Sequence, residues 1–167
     1  MNGDWDDDVV WTNAAYSLSA LGAWGHPVLL ALMAAAGTML AVGSATYHAV
    51  YERWAQRLDV ATMMTYLAST CACVLTVWTL WALLIPPVAA VLYWRYAWDI
   101  NTLIHVPAWS VAIIVALWMQ VGWVALGPLV PAAIGGVLQR TTGTDSVWHS
   151  GWHIGGAGAV AWVLYLI

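Results

Sequence analysis

Residues 148–167 read WHSGWHIGGAGAVAWVLYLI, two histidines followed by an uncharged apolar run. A helix of about 20 apolar residues is long enough to cross a bilayer, so a span is expected over 147–167. His149 and His153 lie four residues apart, which on a helix places both imidazoles on one face, about one turn from each other. The stretch therefore predicts a membrane-spanning helix that begins with two histidines on the same side.

The composition of the whole chain agrees with a membrane solvent. Of its 167 residues, 63% are hydrophobic and 7% are charged, and the mean hydropathy is +0.77. These values are typical of a polytopic membrane protein. The net charge of -4 argues against a nucleic-acid partner, because phosphate binding needs a basic surface. The expected partner is a membrane lipid, as substrate or ligand. The composition does not indicate whether the protein is a monomer or an oligomer.

Apolar runs of membrane-spanning length divide the chain into seven segments. They cover residues 9–25, 27–50, 58–80, 82–98, 103–120, 122–139 and 147–167. The first is the weakest, because four polar residues dilute it: Thr12, Asn13, Ser17 and Ser19. A Gly-His-Pro break before residue 28 separates it from the second. We predict an all-α integral membrane protein, a single domain over 1–167 built as a seven-transmembrane-helix bundle. Six spans plus an interfacial helix is the alternative.

The arginines predict the orientation of the bundle. Arg53, Arg57, Arg95 and Arg140 all fall at loops on one side of the membrane, and basic residues are retained on the cytoplasmic side. With seven spans the N-terminus is cytoplasmic and the C-terminus is outside, whereas six spans would move the N-terminus across. The acidic N-terminus lacks the basic residue and apolar core of a cleavable signal peptide, so we expect it in the mature protein.

Five polar residues are predicted at the cytoplasmic ends of their helices. Ser44 and His48 share a face at the end of the second span, Asp59 lies just inside the third, and His149 and His153 begin the last. Polar groups are costly in a membrane, so their gathering at one depth from distant parts of the sequence predicts a functional site near one membrane face.

The side chains in this group suit zinc. His48, His149 and His153 would supply three ligands of a tetrahedral Zn²⁺ and leave the fourth position to water, as in catalytic zinc sites. Zinc lowers the pKa of its bound water toward ~7. Asp59 would then take the proton of that water or hold it in line, and Ser44 would hydrogen-bond the water or a developing oxyanion. A structural zinc that only ties the helices together uses the same three histidines.

These motifs resemble the signature of the CREST superfamily, which contains alkaline ceramidases, progestin and adipoQ receptors and myomaker-like proteins. The resemblance rests on Ser44-Ala45-Thr46-Tyr47-His48, then Asp59, then His149-Ser150-Gly151-Trp152-His153. It implies seven helices, zinc bound by the three histidines, and Ser44 and Asp59 beside the zinc-bound water. In the ceramidase branch it also implies hydrolysis of an amide bond in a lipid such as ceramide. The segments SATYHAV and VWHSGWH are more similar to the myomaker-like branch.

Two function classes follow from the residues and the resemblance. The first is a membrane-embedded zinc-dependent hydrolase that cleaves a lipid amide bond. The second is a non-catalytic, zinc-stabilised receptor or membrane-remodelling protein of the myomaker-like type. An ion or proton carrier is less favoured, because the polar residues gather at one side of the membrane and form no path through it.

The acidic N-terminus carries a second, looser resemblance. Alkaline ceramidases have an acidic calcium-binding loop before their first helix, and Asp4, Asp6, Asp7 and Asp8 stand in a similar place, where they could offer oxygen ligands to Ca²⁺. A solvated acidic cap is the alternative interpretation.

Two aromatic residues neighbour the proposed ligands. Tyr47 and Trp152 are predicted either to line a substrate cavity or simply to pack. His26 and His105 are interpreted as structural histidines that hydrogen-bond to neighbouring groups.

Overall fold

The computed structural model describes residues 8–99, 101–142 and 149–167, and these ranges contain helices and turns but no strand. In chain order the elements are α1 (Asp8–Thr12), α2 (Ala15–Leu18), a first 3-10 turn (Ser19–Ala23), α3 (Pro27–Val50), α4 (Arg53–Leu75), a second 3-10 turn (Leu80–Leu84), α5 (Ile85–Leu92), a π-helical turn (Tyr93–Ala97), α6 (Thr102–Val121), a third 3-10 turn (Gly122–Leu126), α7 (Leu129–Thr142) and α8 (His149–Tyr165). The prediction of an all-α protein is confirmed for these residues.

Four segments are long and apolar enough to cross a membrane: Pro27–Val50, Arg53–Leu75, Leu80–Ala97 and Ile104–Leu126. The chain is therefore an α-helical membrane protein. Helix α8 has 17 residues, or about 25 Å at 1.5 Å per residue, somewhat less than the ~30 Å of a hydrocarbon core. Helix α7 is shorter still, with 14 residues.

The break before the second predicted span is confirmed. Gly25 has a φ of 104°, a left-handed value that glycine adopts without steric cost, and Pro27 occupies the first position of α3. Helix α3 then runs over Pro27–Val50, the same residues as the predicted span.

Helices α3 and α4 are joined by two residues. Tyr51 ends α3 in the left-handed conformation, with φ 51° and ψ 32°, and its N–H donates to the carbonyl of Tyr47 at 2.8 Å. Glu52 is extended, and α4 begins at Arg53. The predicted third span began later, at residue 58, because charged residues were assigned to the loop. The first turn of a helix at the membrane interface accommodates them.

A glycine lets these two helices approach each other closely. A Cβ added to Gly43 would lie 2.5 Å from Thr62 Oγ1 and 3.3 Å from the carbonyl oxygen of Leu58. Both contacts are shorter than ordinary van der Waals separations, so only glycine fits this position without a shift of α4. The close approach lies next to Ser44 on α3 and Asp59 on α4.

The first predicted span, 9–25, is not one continuous helix. We call residues 8–23 the N-terminal segment: α1 ends at Thr12, a turn follows at residues 13 and 14, and α2 passes into the first 3-10 turn. The segment packs against both α3 and α8. Two contacts with Tyr66 of α4 anchor the segment. The hydroxyls of Ser19 and Tyr66 hydrogen-bond at 2.5 Å, and the rings of Tyr16 and Tyr66 meet edge to face, with centroids 5.5 Å apart.

Candidate metal centre

Three histidines from two helices meet where α3 ends and α8 begins. One nitrogen from each of His48, His149 and His153 lies within 4.8 Å of the others. All three side chains are buried, with exposed fractions of 7%, 4% and 2%. These are the three residues that the sequence predicts as metal ligands, and the fold brings them together.

Local helix geometry accounts for two of the three positions. His149 and His153 occupy the first turn and a half of α8, and their ring centroids stand 4.8 Å apart, as the four-residue spacing requires. His48 reaches them from the last turn of α3, with centroid distances of 5.2 Å to His149 and 5.7 Å to His153. The packing of α8 against the N-terminal segment and α4 holds the two helices in this register.

The chemistry of this donor set fits a transition-metal ion. Neutral imidazole nitrogen is a preferred ligand of zinc, and three such ligands leave a fourth tetrahedral position open. Ligands about 2.0–2.1 Å from a tetrahedral ion are about 3.4 Å from one another. The three nitrogens lie within 4.8 Å of one another, close enough that they could hold an ion.

The two other predicted site residues form a pair beside the histidines. Ser44, one helical turn before His48, is buried and lies within hydrogen-bonding reach of the carboxylate of Asp59. Asp59 is half-buried on α4, and the close contact at Gly43 keeps the two helices near each other at this level. A hydroxyl and a carboxylate thus lie side by side at the end of the bundle where the three histidines meet.

The N-terminal segment contributes two residues that the sequence interpretation missed. Thr12 Oγ1 lies 3.5 Å from His153 Nδ1, the long limit of a hydrogen bond, and the ring of Tyr16 stands 5.7 Å from the ring of His153. Tyr16 is also within electrostatic range of Asp59. The sequence feature that could have indicated these two residues is their spacing: Thr12 and Tyr16 are four residues apart, as are Ser44 and His48.

An apolar cavity of about 120 Å³ lies next to the centre, between α4, α6, α7 and α8. Tyr16 and Trp152 form part of its wall. Two of its polar residues are hydrogen-bonded within their own helices: the hydroxyl of Thr70 donates to the carbonyl of Tyr66 at 3.0 Å, and that of Ser110 to the carbonyl of Val106 at 2.9 Å. These hydroxyls are satisfied, so the cavity offers mainly an apolar surface.

The two predicted aromatic neighbours are placed differently. Trp152 is half-buried and lines this cavity. Tyr47 packs between His48 and Tyr51, with ring centroids 5.6 Å from each.

The predicted calcium ligands Asp4, Asp6 and Asp7 lie outside the described residues. Asp8 is the first residue of α1. The calcium site therefore stays a prediction from the sequence.

Comparison of the chain with protein-family models, with curated proteins and with solved structures gives no match.

Proposed function

We propose that this chain is a membrane-embedded, zinc-dependent hydrolase that cleaves an amide bond in a lipid. The observation that carries the proposal is the meeting of three buried imidazoles from α3 and α8 beside the neighbouring side chains of Ser44 and Asp59. Three nitrogen ligands with an adjacent carboxylate are the usual parts of a hydrolytic zinc site.

When bound, zinc supplies a Lewis acid and makes a water molecule acidic enough to lose a proton near neutral pH. In the proposed reaction the Asp59 carboxylate takes that proton and later returns it to the departing amine. Ser44 orients the carboxylate through its hydrogen bond and remains able to accept a second one. Tyr16 and Thr12 close the site on the side of the N-terminal segment.

The adjacent cavity supports a lipid as substrate. Its wall is apolar, it lies within the membrane-spanning helices, and Tyr16 belongs both to this wall and to the surroundings of His153. The part of an acyl chain nearest the amide would occupy this cavity of about 120 Å³ and would bring the amide toward the metal ligands.

Membership in the CREST superfamily and a seven-span topology are part of the same proposal. Apart from the first span, which is broken after Thr12, the helices of the described ranges overlap the predicted spans, and α7 packs against α8. In this topology the N-terminal segment, α7 and α8 cross the membrane together with the four long spans. The metal centre then lies at the cytoplasmic face and the C-terminus outside.

The substitution Asp59→Asn tests the catalytic role most sharply. The amide preserves the size of the side chain and an acceptor for Ser44, but it cannot take a proton. We expect the variant to keep its zinc, measured by elemental analysis, and to lose turnover of a labelled N-acyl lipid by roughly 10²–10⁴-fold. Glu52→Gln, the same change at an exposed residue just before α4, serves as the control and should keep full turnover. Equal turnover in the Asn variant and the wild type would exclude Asp59 as the base.

A second candidate is a non-catalytic, zinc-stabilised receptor or remodelling protein. The burial of all three histidines, and their position where α3, α8 and the N-terminal segment meet, favour it. Here the metal stabilises the fold directly. His153→Ala would then lower the thermal unfolding temperature, and no N-acyl lipid would be hydrolysed by the wild-type protein.

A further inference from the structure

A second cavity lies on a different face of α6 from the one beside the metal centre. We call it the α5–α6 groove. Its volume is about 490 Å³, within the ~300–1,000 Å³ of small-molecule sites. The wall from α5 and the turn before it is aliphatic, formed by Leu84, Ile85, Val88 and Leu92. None of the residues that line it belongs to the proposed metal centre.

One end of this groove is polar. Tyr93, His105 and Trp109 all line it, and they are bonded to one another. The Tyr93 hydroxyl lies 3.1 Å from His105 Nδ1, and the indole N–H of Trp109 donates to the Tyr93 oxygen at 3.2 Å. All three are half-buried. An apolar channel with a single hydrogen-bonding end has the polarity of an amphiphile.

The hydrogen bonds within this trio leave one donor group without an acceptor inside the trio. Indole only donates, so Tyr93 accepts from Trp109 in either arrangement. If Tyr93 donates to His105 Nδ1, the neutral imidazole still has a proton on Nε2. If instead Nδ1 donates to Tyr93, the phenolic proton remains. Among the described residues, neither remaining donor has a recorded acceptor, so the polar end is complementary to a ligand that brings one.

The backbone at this end is unusual. Tyr93 begins the π-helical turn, a form that is rare and often found at functional sites. Arg57 of α4 makes two contacts with this turn. Its Nε donates to the carbonyl of Trp94 at 2.6 Å, and its guanidinium lies 4.5 Å from the centre of the Trp94 ring. With Trp94 directed to α4, Tyr93 and Tyr96 line the groove.

The length of the groove fits an extended chain. From Leu84 to Tyr93, where the polar end begins, its lining on the α5 side advances by nine residues, about 14 Å at the helical rise of 1.5 Å per residue. That is most of the length of a long saturated acyl chain. We propose that the α5–α6 groove binds a single-chain membrane lipid with a hydrogen-bond acceptor in its head, of the fatty-acid class, with the head on the Tyr93–His105–Trp109 trio and the chain along α5.

The test uses a photoreactive palmitic acid, with a diazirine on its chain, and the purified protein in dodecyl maltoside. Labelling should be saturable, should map to the peptide that contains residues 84–97, and should be displaced by palmitic acid but not by hexadecane or cholesterol. Tyr93→Phe and His105→Phe should each raise the half-saturating concentration about tenfold, as expected for a lost hydrogen bond to a charged head. Tyr96→Phe removes a hydroxyl from the same groove that has no recorded hydrogen bond within the described ranges, so it should change binding less than twofold.

A second pair of variants tests the path of the chain. Val88→Trp fills the groove and should abolish saturable labelling, whereas Val91→Trp places the same ring on an exposed position that does not line the groove and should leave it unchanged. Labelling that is non-saturable, equal for hexadecane, or insensitive to both Val88→Trp and Tyr93→Phe would overturn the proposal. Loss of labelling in Ala132→Trp, which fills the cavity beside the metal centre, but not in these variants would place the ligand in that cavity and would also overturn the proposal. The result is independent of whether the protein is a hydrolase.

Discussion

The imidazole of His48, in the last turn of α3, stands 5.2 Å from the imidazole of His149, the first residue of α8, between ring centroids. The two helices are distant in the chain, and both rings are buried. A buried polar group in a membrane is costly unless it is bonded. Together with His153, the pair forms a ready ligand set for a metal, which is the basis of the proposed chemistry.

Thr12 is predicted to orient one of these ligands. If His153 binds the metal through Nε2, its Nδ1 carries the proton and donates to Thr12 Oγ1, which lies 3.5 Å away. Removal of such a partner typically costs 10–100-fold in metal affinity. Thr12→Val, which keeps the shape of the side chain, should therefore weaken zinc binding about 10-fold or more in a competition titration with a chelating dye, and Thr12→Ser should restore it. Equal affinity for all three proteins would remove Thr12 from the site.

Ser44 and Ser150 offer a matched pair of buried hydroxyls near the histidines. The Ser44 hydroxyl lies within hydrogen-bonding reach of Asp59, whereas Ser150 Oγ has no hydrogen-bond partner among the described residues. Ser44→Ala should lower turnover of the labelled N-acyl lipid, by roughly tenfold for one lost hydrogen bond, and Ser150→Ala should have little effect. A larger loss from the Ser150 change would show that packing beside His149, and not the link to Asp59, controls activity.

The close approach of α3 and α4 gives a prediction about stability. An alanine Cβ at residue 43 would meet the Thr62 hydroxyl, whose two hydrogen bonds to the carbonyls of Leu58 and Asp59 hold it in place. Gly43→Ala should destabilise the protein by about 1–3 kcal/mol, as overpacking does, measured as a lower midpoint of thermal unfolding in detergent.

Gly158 provides the control, because a Cβ there meets only Pro131 at 3.9 Å, an ordinary contact. Gly158→Ala should be neutral or stabilising by about 0.5–1 kcal/mol, the usual gain in a helix. Adding Thr62→Ala to Gly43→Ala should recover stability. Absence of recovery would mean that the helices are kept apart by something other than this contact.

The cavity beside the centre is tested by filling it. Ala132 on α7 lines this cavity, whereas its neighbour Ala133 is exposed. Ala132→Trp should abolish hydrolysis of long-chain N-acyl lipids while zinc content stays unchanged, because the indole takes the space of the acyl chain. Ala133→Trp adds the same ring on the outside and should leave turnover intact. If both variants hydrolyse long-chain substrate at the wild-type rate, the chain binds elsewhere.

The sequence was sufficient for much of the site because its information is local. The His149 and His153 pair and the Ser44 and His48 pair follow from four-residue helical spacing, and α3 follows from an apolar run preceded by Gly25 and Pro27. The meeting of α3 with α8 was expected only from their predicted depth in the membrane, which places residues at one level but not in contact. The structure brings the three histidines together.

Other features depend on tertiary packing and were not predictable from apolar runs. The N-terminal segment was expected as a span, but its turn after Thr12 and its 3-10 end are fixed by packing on α3 and α8, which also brings Thr12 and Tyr16 to His153. The start of α4 was placed too late because hydropathy cannot distinguish a charged loop from a charged first turn. His105 was interpreted as a structural histidine that hydrogen-bonds to a neighbouring group, and it does bond to the hydroxyl of Tyr93, but that partner lies on another helical segment and could not be named from the sequence.

The most direct test of the central claim is elemental analysis of the detergent-purified protein, prepared without chelator. The wild type should be compared with a His48, His149 and His153 triple alanine variant and with His26→Ala, which changes an exposed histidine outside the cluster. We expect about one zinc per chain in the wild type and in His26→Ala, as for a single three-histidine site, and none in the triple variant. No stoichiometric metal in the wild type, or equal zinc in the triple variant, would contradict the metal centre and the hydrolase built on it.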